Sequence, residues 1–369
     1  TEALTLCENF ILKQRDNGVW GIEHNLTQGL VVSGGTADGV DQTNELSWLF
    51  VAAAGQVSVP EPLVWVRWHP NIDQDFFDFC LETIAGSTCF PLMMNDLAVP
   101  EMLQGLGVSR EDSFDYVPVG CNEIGIPGKA YFNPVAHVNY LEAVSRAMTG
   151  GRGYEGDRTP PIDTPEPEAI ETFEDLLDVV EDYIALQIED SYAWGVGLLE
   201  AQMRWGQTPL TSCFFDGCID EAHDLTQGTK YNLLSCGGTF FANMVDNLAA
   251  IREVVYEKEQ ATLTDVLEAC RANYQGYERL RQQLLSAPKH GNDDPRLDDL
   301  IERVQAMRDR PMKAICRDPR DGTPCGNTHI TRSAAVRVGS QWPATPDGRL
   351  AGTPLASSVA ASCGVEERG

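Results

Sequence analysis

The hydrophobic positions of this 369-residue chain change period several times along its length. Leu63–Trp68 (LVWVRW) is apolar almost without interruption and rich in β-formers, which predicts a strand buried on both faces. Pro118–Cys121 and Pro209–Phe215 predict shorter strands of the same kind. Helical spacing dominates elsewhere. Ile170, Phe173, Leu176, Leu177, Val180, Tyr183 and Ile184 recur every three or four positions and predict a long helix reaching about Trp205. Pro165 and Pro167 fall near its start, where a missing N–H is harmless. A second helix is predicted over Ala242–Glu257, after the Gly237-Gly238 pair. Thr262 with Asp265 reads as a capping box opening a helix toward Tyr274. Asp294-Pro295 reads as the cap and first turn of a helix to about Met307. Strands alternating with long helices predict an α/β architecture with the helices outside; the pattern alone does not separate a barrel from an open sheet.

Composition narrows the class. With 43% hydrophobic and 22% charged residues, the chain is neither disordered, collagenous nor a small disulfide scaffold. No apolar run approaches the roughly 18 residues that span a bilayer, and Ser47–Ala54 is the best there is. No basic stretch followed by an apolar one marks a secretory signal, and the chain opens on Thr1 rather than Met. The expected location is therefore cytoplasmic. Acidic residues outnumber basic ones 55 to 27, a net charge of −28, and only six of the basic residues are Lys. Such a surface repels phosphate backbones and anionic headgroups, so neither nucleic acid nor a membrane is an expected partner. Carboxylate excess with scarce Lys reads as adaptation to a salty cytoplasm, the plainer reading being an ordinary acidic enzyme.

The eleven Cys are odd in number and lack a secretory context, so reduced thiols are expected rather than a disulfide framework. No C-x-x-C pair occurs; Cys213 and Cys218 are five apart and Cys316 and Cys325 nine apart, without His at zinc-finger spacing. The six His form no His-x-x-x-His pair, so no metal site is expected.

The informative stretch is Val119-Gly120-Cys121-Asn122-Glu123-Ile124-Gly125-Ile126-Pro127-Gly128-Lys129. A Cys at the end of an apolar strand enters a Gly-rich loop, with a carboxylate two residues on. Such a loop could hold a sulfur and a carboxylate on one side of a substrate. The bland alternative is a buried Cys as small apolar filler and a solvated Glu beside a Gly turn.

The neighbouring motifs change that balance, because with them the sequence resembles the glycyl radical enzymes. These are the relatives of pyruvate formate-lyase, the glycerol and propanediol dehydratases, choline trimethylamine-lyase and the arylacetate decarboxylases. Gly120-Cys121-Asn122-Glu123 is similar to the family's Gly-Cys-x-Glu loop, with Gly128-Lys129 following. Further matches come in the family's order: Asn25–Gly29 with Asp41–Ser47, Trp65–His69, Gly228–Asn232 with Ala242–Ile251, Ala287–Asp294 and Ala344–Arg349. The resemblance implies that residues 1–369 are part of a ten-stranded β/α barrel, with the Cys loop at about 118–129; the hydrophilic Gly/Pro-rich stretch at about 150–167 reads as a surface loop rather than a domain linker.

It also implies a mechanism. Cys121 would carry a thiyl radical that abstracts hydrogen from a small polar substrate, and Glu123 would act as general base. Burial in the barrel would protect the radical from quenching. Gly120 and Asn122 would line the substrate pocket, and His137 is the candidate for orienting a polar substrate; Trp68 and His69, at the end of a predicted strand, either line the pocket or simply pack. The implied cofactor is a glycyl radical, installed by a radical-SAM activating enzyme carrying a [4Fe-4S] cluster, and the implied assembly is a homodimer.

Departures from the family refine the expectation. Gly120 stands where pyruvate formate-lyase has a second Cys, and His137 where it has a carboxylate-binding Arg, so acyl transfer is disfavoured. Glu123 marks the eliminating and decarboxylating members. Asn133–His137 lacks the Asp of the diol dehydratases, and Asn122 and Ile124 replace the usual Val and Pro, which leaves the substrate open. The family's Arg-Val-x-Gly-Tyr radical motif is not among these residues, and Arg337-Val338-Gly339-Ser340 has the wrong spacing and position. The expectation is therefore a fragment missing the N-terminal portion and the radical domain, or a chain served by a separate radical domain. An eliminating lyase is the leading reading. An arylacetate-type decarboxylase and a non-catalytic truncated barrel are its rivals. Asp347-Gly348-Arg349 is expected to be a structural, ion-paired turn, Gly228–Asn232 a turn into helix packing, and the acidic run from Glu171 to Asp182 a solvated helix face.

Overall fold

The computed structural model describes residues 2–16, 29–59, 62–86, 90–120, 123–154, 159–315, 323–329, 334–357 and 359–361. The architecture is α/β, with two compact units: Thr1–Asn133, Leu199–Ser235 and Asp318–Gly326 in the first, the remainder in the second.

In the first unit β1 (Gly29–Val31), β2 (Leu63–Trp68) and β3 (Leu92–Asn95) form a parallel sheet with β2 central. β2 is buried on both faces, as its composition predicts. Its period of two divides the work. Val64, Val66 and Trp68 pack on the helices Glu45–Val57 and Gln74–Gly86 through Ala53, Val51, Phe76 and Cys80. Trp65 and Arg67 take the opposite face. The first of these helices begins at Asn44, whose side chain accepts from Leu46 N at 3.0 Å while Ser47 Oγ accepts from Asn44 N at 3.1 Å, a reciprocal cap. β4 (Val117–Val119) and β5 (Glu123–Gly125) pair as an antiparallel hairpin. β6 (Ala130–Asn139), β7 (Tyr231–Thr239) and β8 (Thr323–His329) form a third sheet in that order.

The second unit is built around the helix Phe241–Ile251, every residue of which is buried. The helix Phe173–Trp205 lays Leu176, Leu177, Val180, Tyr183, Ile184 and Ile188 on the same core. Its acidic positions Glu174, Asp175, Asp178 and Asp182 face solvent. Thr262 and Asp265 cap the helix Leu263–Arg271 reciprocally.

Several expectations are corrected. Pro209–Phe215 is not a strand: Pro209–Ser212 is a helical turn, held by Asp224 Oδ1, which accepts from Thr208 N at 2.9 Å and Ser212 Oγ at 2.6 Å. Leu210 and Phe214, which suggested burial, are exposed. Pro167–Ala169 is a separate 3-10 turn ahead of the long helix. The helix toward Tyr274 stops at Arg271, because Asn273 and Tyr274 take φ of 48° and 61°. The helix after Pro295 runs on to Ile315 with Pro311 inside it. Gly228–Lys230 is a turn, and it leads directly into β7. Arg349 braces its turn by donating to the carbonyls of Pro343, Gly339 and Thr353, rather than through an ion pair among the described residues.

None of the described helices is long and apolar enough to cross a membrane.

Candidate active site

The β4–β5 hairpin places the Cys loop. Its register pairs Val119 with Glu123, so residues 120–122 join the two strands. Gly120 has φ of +60°, a conformation that costs a side-chain-bearing residue energy. A Cβ there would also come 3.1 Å from Glu123 Oε2, so the bare turn makes room for that carboxylate. Glu123 is half-buried. Cys121 and Asn122 lie outside the described residues. After β5, Ile126 O accepts from Lys129 N at 2.9 Å and Ala130 N at 2.8 Å, closing a tight turn at Gly128 (φ +68°) that sends the chain into β6.

Two polar clusters anchor the hairpin. At its entry, Tyr116 Oη donates to Asp96 Oδ1 at 2.7 Å, and Arg67 grips the same carboxylate with two hydrogen bonds of 2.8 and 2.9 Å. The Arg67 guanidinium lies 4.1 Å from the Tyr116 ring centroid. Burial, together with the Asp96 charge, pushes the Tyr116 hydroxyl far above its ordinary value, so it stays a donor. At the exit, Asp112 accepts from Lys129 Nζ, from Lys230 Nζ at 2.7 Å and from Tyr231 Oη at 2.7 Å. Burial alone would raise the Asp112 carboxyl, but these three donors outweigh it and hold the group well below the usual carboxylate range. Between the anchors, Tyr116, Ile124, Ile126 and Ala130 pack with Leu103, Val108 and Leu233.

The other expected pocket residues are dispersed. Trp68 packs on the helix-facing side of β2 with Val66 and Phe76. His69 is buried beyond the end of β2, with Nε2 3.2 Å from Asp41 Oδ1, and lines a cavity of about 270 Å³. That cavity is not at the hairpin. Tyr116 meets Arg67 near the cavity, whereas the backbone at Pro118 already lies beside Gly29 at the start of β1. Among the described residues, none of 117–125 lines the cavity. His137 belongs to the second unit, where its N donates to Ser191 Oγ at 3.0 Å and its Nε2 lies 3.3 Å from Thr239 Oγ1.

Arg67, Asp96 and Asp112 were not singled out by sequence. A charge inside an apolar strand does signal a buried partner for Arg67. Nothing local marks Asp112. Among the described residues no three His, Cys, Asp or Glu side chains form a metal-ligand group. Cys7, Cys80, Cys213, Cys218, Cys236 and Cys270 are free thiols, and burial pushes those of Cys80 and Cys270 up to about 12, which makes these two inert filler.

Comparison with known proteins agrees with this architecture. The Pyruvate formate lyase-like family matches residues 1–333. A probable dehydratase, YbiW, of Escherichia coli is 29% identical over 89% of this chain and 42% of its own length. An isethionate sulfite-lyase of Oleidesulfovibrio alaskensis is 27% identical over 93% of the chain and 42% of its own. The glycerol-bound B12-independent glycerol dehydratase of Clostridium butyricum superposes with a TM-score of 0.88 at 25% identity, over 99% of this chain and 47% of that one. The chain thus spans less than half the length of these relatives. With nine-tenths of its residues inside one family match, the chain belongs to the pyruvate formate lyase-like family, in the glycyl radical enzyme superfamily.

Proposed function

We propose that this chain is the Cys-loop portion of a glycyl radical lyase that eliminates a leaving group from a small hydroxylated substrate, within a ten-stranded barrel. The carrying observation is the hairpin that sets Glu123 two residues past Cys121, over a turn cleared by Gly120. A bare glycine turn next to a thiol-bearing position fits the family's radical group, which would act through Cys121. When present, that group supplies one unpaired electron.

The chain's own residues then divide the work. Cys121, as a thiyl, takes a hydrogen atom from the carbon bearing the substrate hydroxyl. Glu123 accepts the hydroxyl proton, and the neighbouring group leaves with its bonding electron pair. The resulting carbon radical recovers a hydrogen atom from the Cys121 thiol, and the Glu123 proton goes to the leaving group. The net change is loss of HX and formation of a carbonyl. The dehydratase and sulfite-lyase names of the relatives support elimination as the reaction class.

The test supplies the chain with a radical domain and a radical-SAM activating enzyme and follows the products. Release of water or an anion is expected, with turnover abolished in Cys121→Ala and lowered about 100-fold or more in Glu123→Gln. Carbon dioxide as product would point to decarboxylation instead, and undiminished turnover in either variant would overturn the role given to that residue.

A further inference from the structure

The cavity beyond β1–β3 is left unused by the radical chemistry. It sits outside the carboxyl ends of three parallel strands, where α/β sheets commonly place ligands. Gly35–Gly39 follows β1, His69–Asn71 follows β2, Asp96–Leu97 follows β3, and Arg110 and Phe114 close the remaining side around about 270 Å³.

Its charges decide what it can hold. Asp96 is saturated by Arg67, Tyr116 and Gly35 N, the last at 2.8 Å, so its charge is already cancelled. Asp41 is occupied by Thr43, Asp73 N and His69. Arg110 donates to Ala37 O and has no carboxylate partner among the described residues. In a chain with twice as many acids as bases, an arginine that lines a cavity with no carboxylate paired to it among the described residues is conspicuous. Asp38, on the exposed rim, disfavours a second negative charge on the ligand. Leu97, Phe114 and Pro70 supply apolar wall.

We infer that this cavity binds a short-chain monocarboxylate, its carboxylate paired with Arg110 and its carbon body against Leu97 and Phe114. Guanidinium matches carboxylate geometry with two parallel hydrogen bonds, which an amide or alcohol cannot reproduce. The site is separate from the Cys hairpin, so it stands or falls independently of the radical reaction.

The test is isothermal titration of the chain with propionate, propionamide and inorganic phosphate, without activation. Saturable propionate binding is expected, at least about tenfold tighter than propionamide or phosphate, weakened about tenfold or more in Arg110→Gln and partly restored in Arg110→Lys. Arg110 is exposed, so these variants should fold, and circular dichroism checks that they do. Absence of propionate binding, equal binding in Arg110→Gln, or tighter binding of phosphate would overturn the assignment.

Discussion

Asp96→Ala is expected to lower the unfolding free energy of the chain by about 3–5 kcal/mol, read from urea denaturation. The size follows from what the carboxylate leaves behind. Arg67 is only 7% exposed and loses its bidentate partner, while Tyr116 Oη and Gly35 N lose an acceptor. An unpaired buried guanidinium costs far more than the intact pair contributes. Asp96→Ala combined with Arg67→Met should therefore recover most of the loss, because methionine fills the space without a charge. A single variant within about 1 kcal/mol of the parent, or a double variant no better than the single, would contradict the role given to this cluster.

Asp112→Asn is expected to cost about 2 kcal/mol at neutral pH, chiefly through the bond from Lys129, since Lys230 is half in solvent. The pH dependence carries the sign. The folded Asp112 carboxyl is held below its unfolded value of about 4, so its stabilising contribution is fully present above that pH. It declines as the pH falls through the depressed folded value. The gap between parent and variant should thus be constant from pH 5 to 8 and narrow progressively below about pH 4. A gap that widens in acid would show that the carboxylate is not held by its cationic neighbours. Since Asp112 joins the exit of the Cys loop to the start of β7, the same variant should also lose turnover in the reconstituted enzyme.

What the sequence disclosed follows physical range. Leu63–Trp68 was legible as a strand because burial on both faces demands a continuous apolar run, and Thr262 with Asp265 was legible as a cap because the partners lie three residues apart. Pro209–Phe215 misled because an apolar run of that length carries no period to separate strand from helix; the deciding bonds come from Asp224, fifteen residues past Pro209. The hairpin anchors were out of reach for the same reason. Arg67 finds its carboxylate 29 residues away, and Asp112 meets Lys230 at a separation of 118. Cys121 and Glu123 were legible through ordered resemblance along the chain, whereas the cavity that His69 lines is assembled from the ends of three strands far apart in sequence and was not. Trp68 ends a continuous apolar run and could as well pack as line a pocket; the helices on its face of β2 decide for packing.

The central claim is that one hydrogen atom passes through the sulfur of Cys121. Its most direct test is turnover of a substrate deuterated on the hydroxyl-bearing carbon, with mass spectrometry locating the label in the product. The account predicts deuterium moved to the carbon that lost its leaving group, and no labelled product from Cys121→Ser. Deuterium retained throughout on its original carbon, or moved equally well by Cys121→Ser, would contradict it.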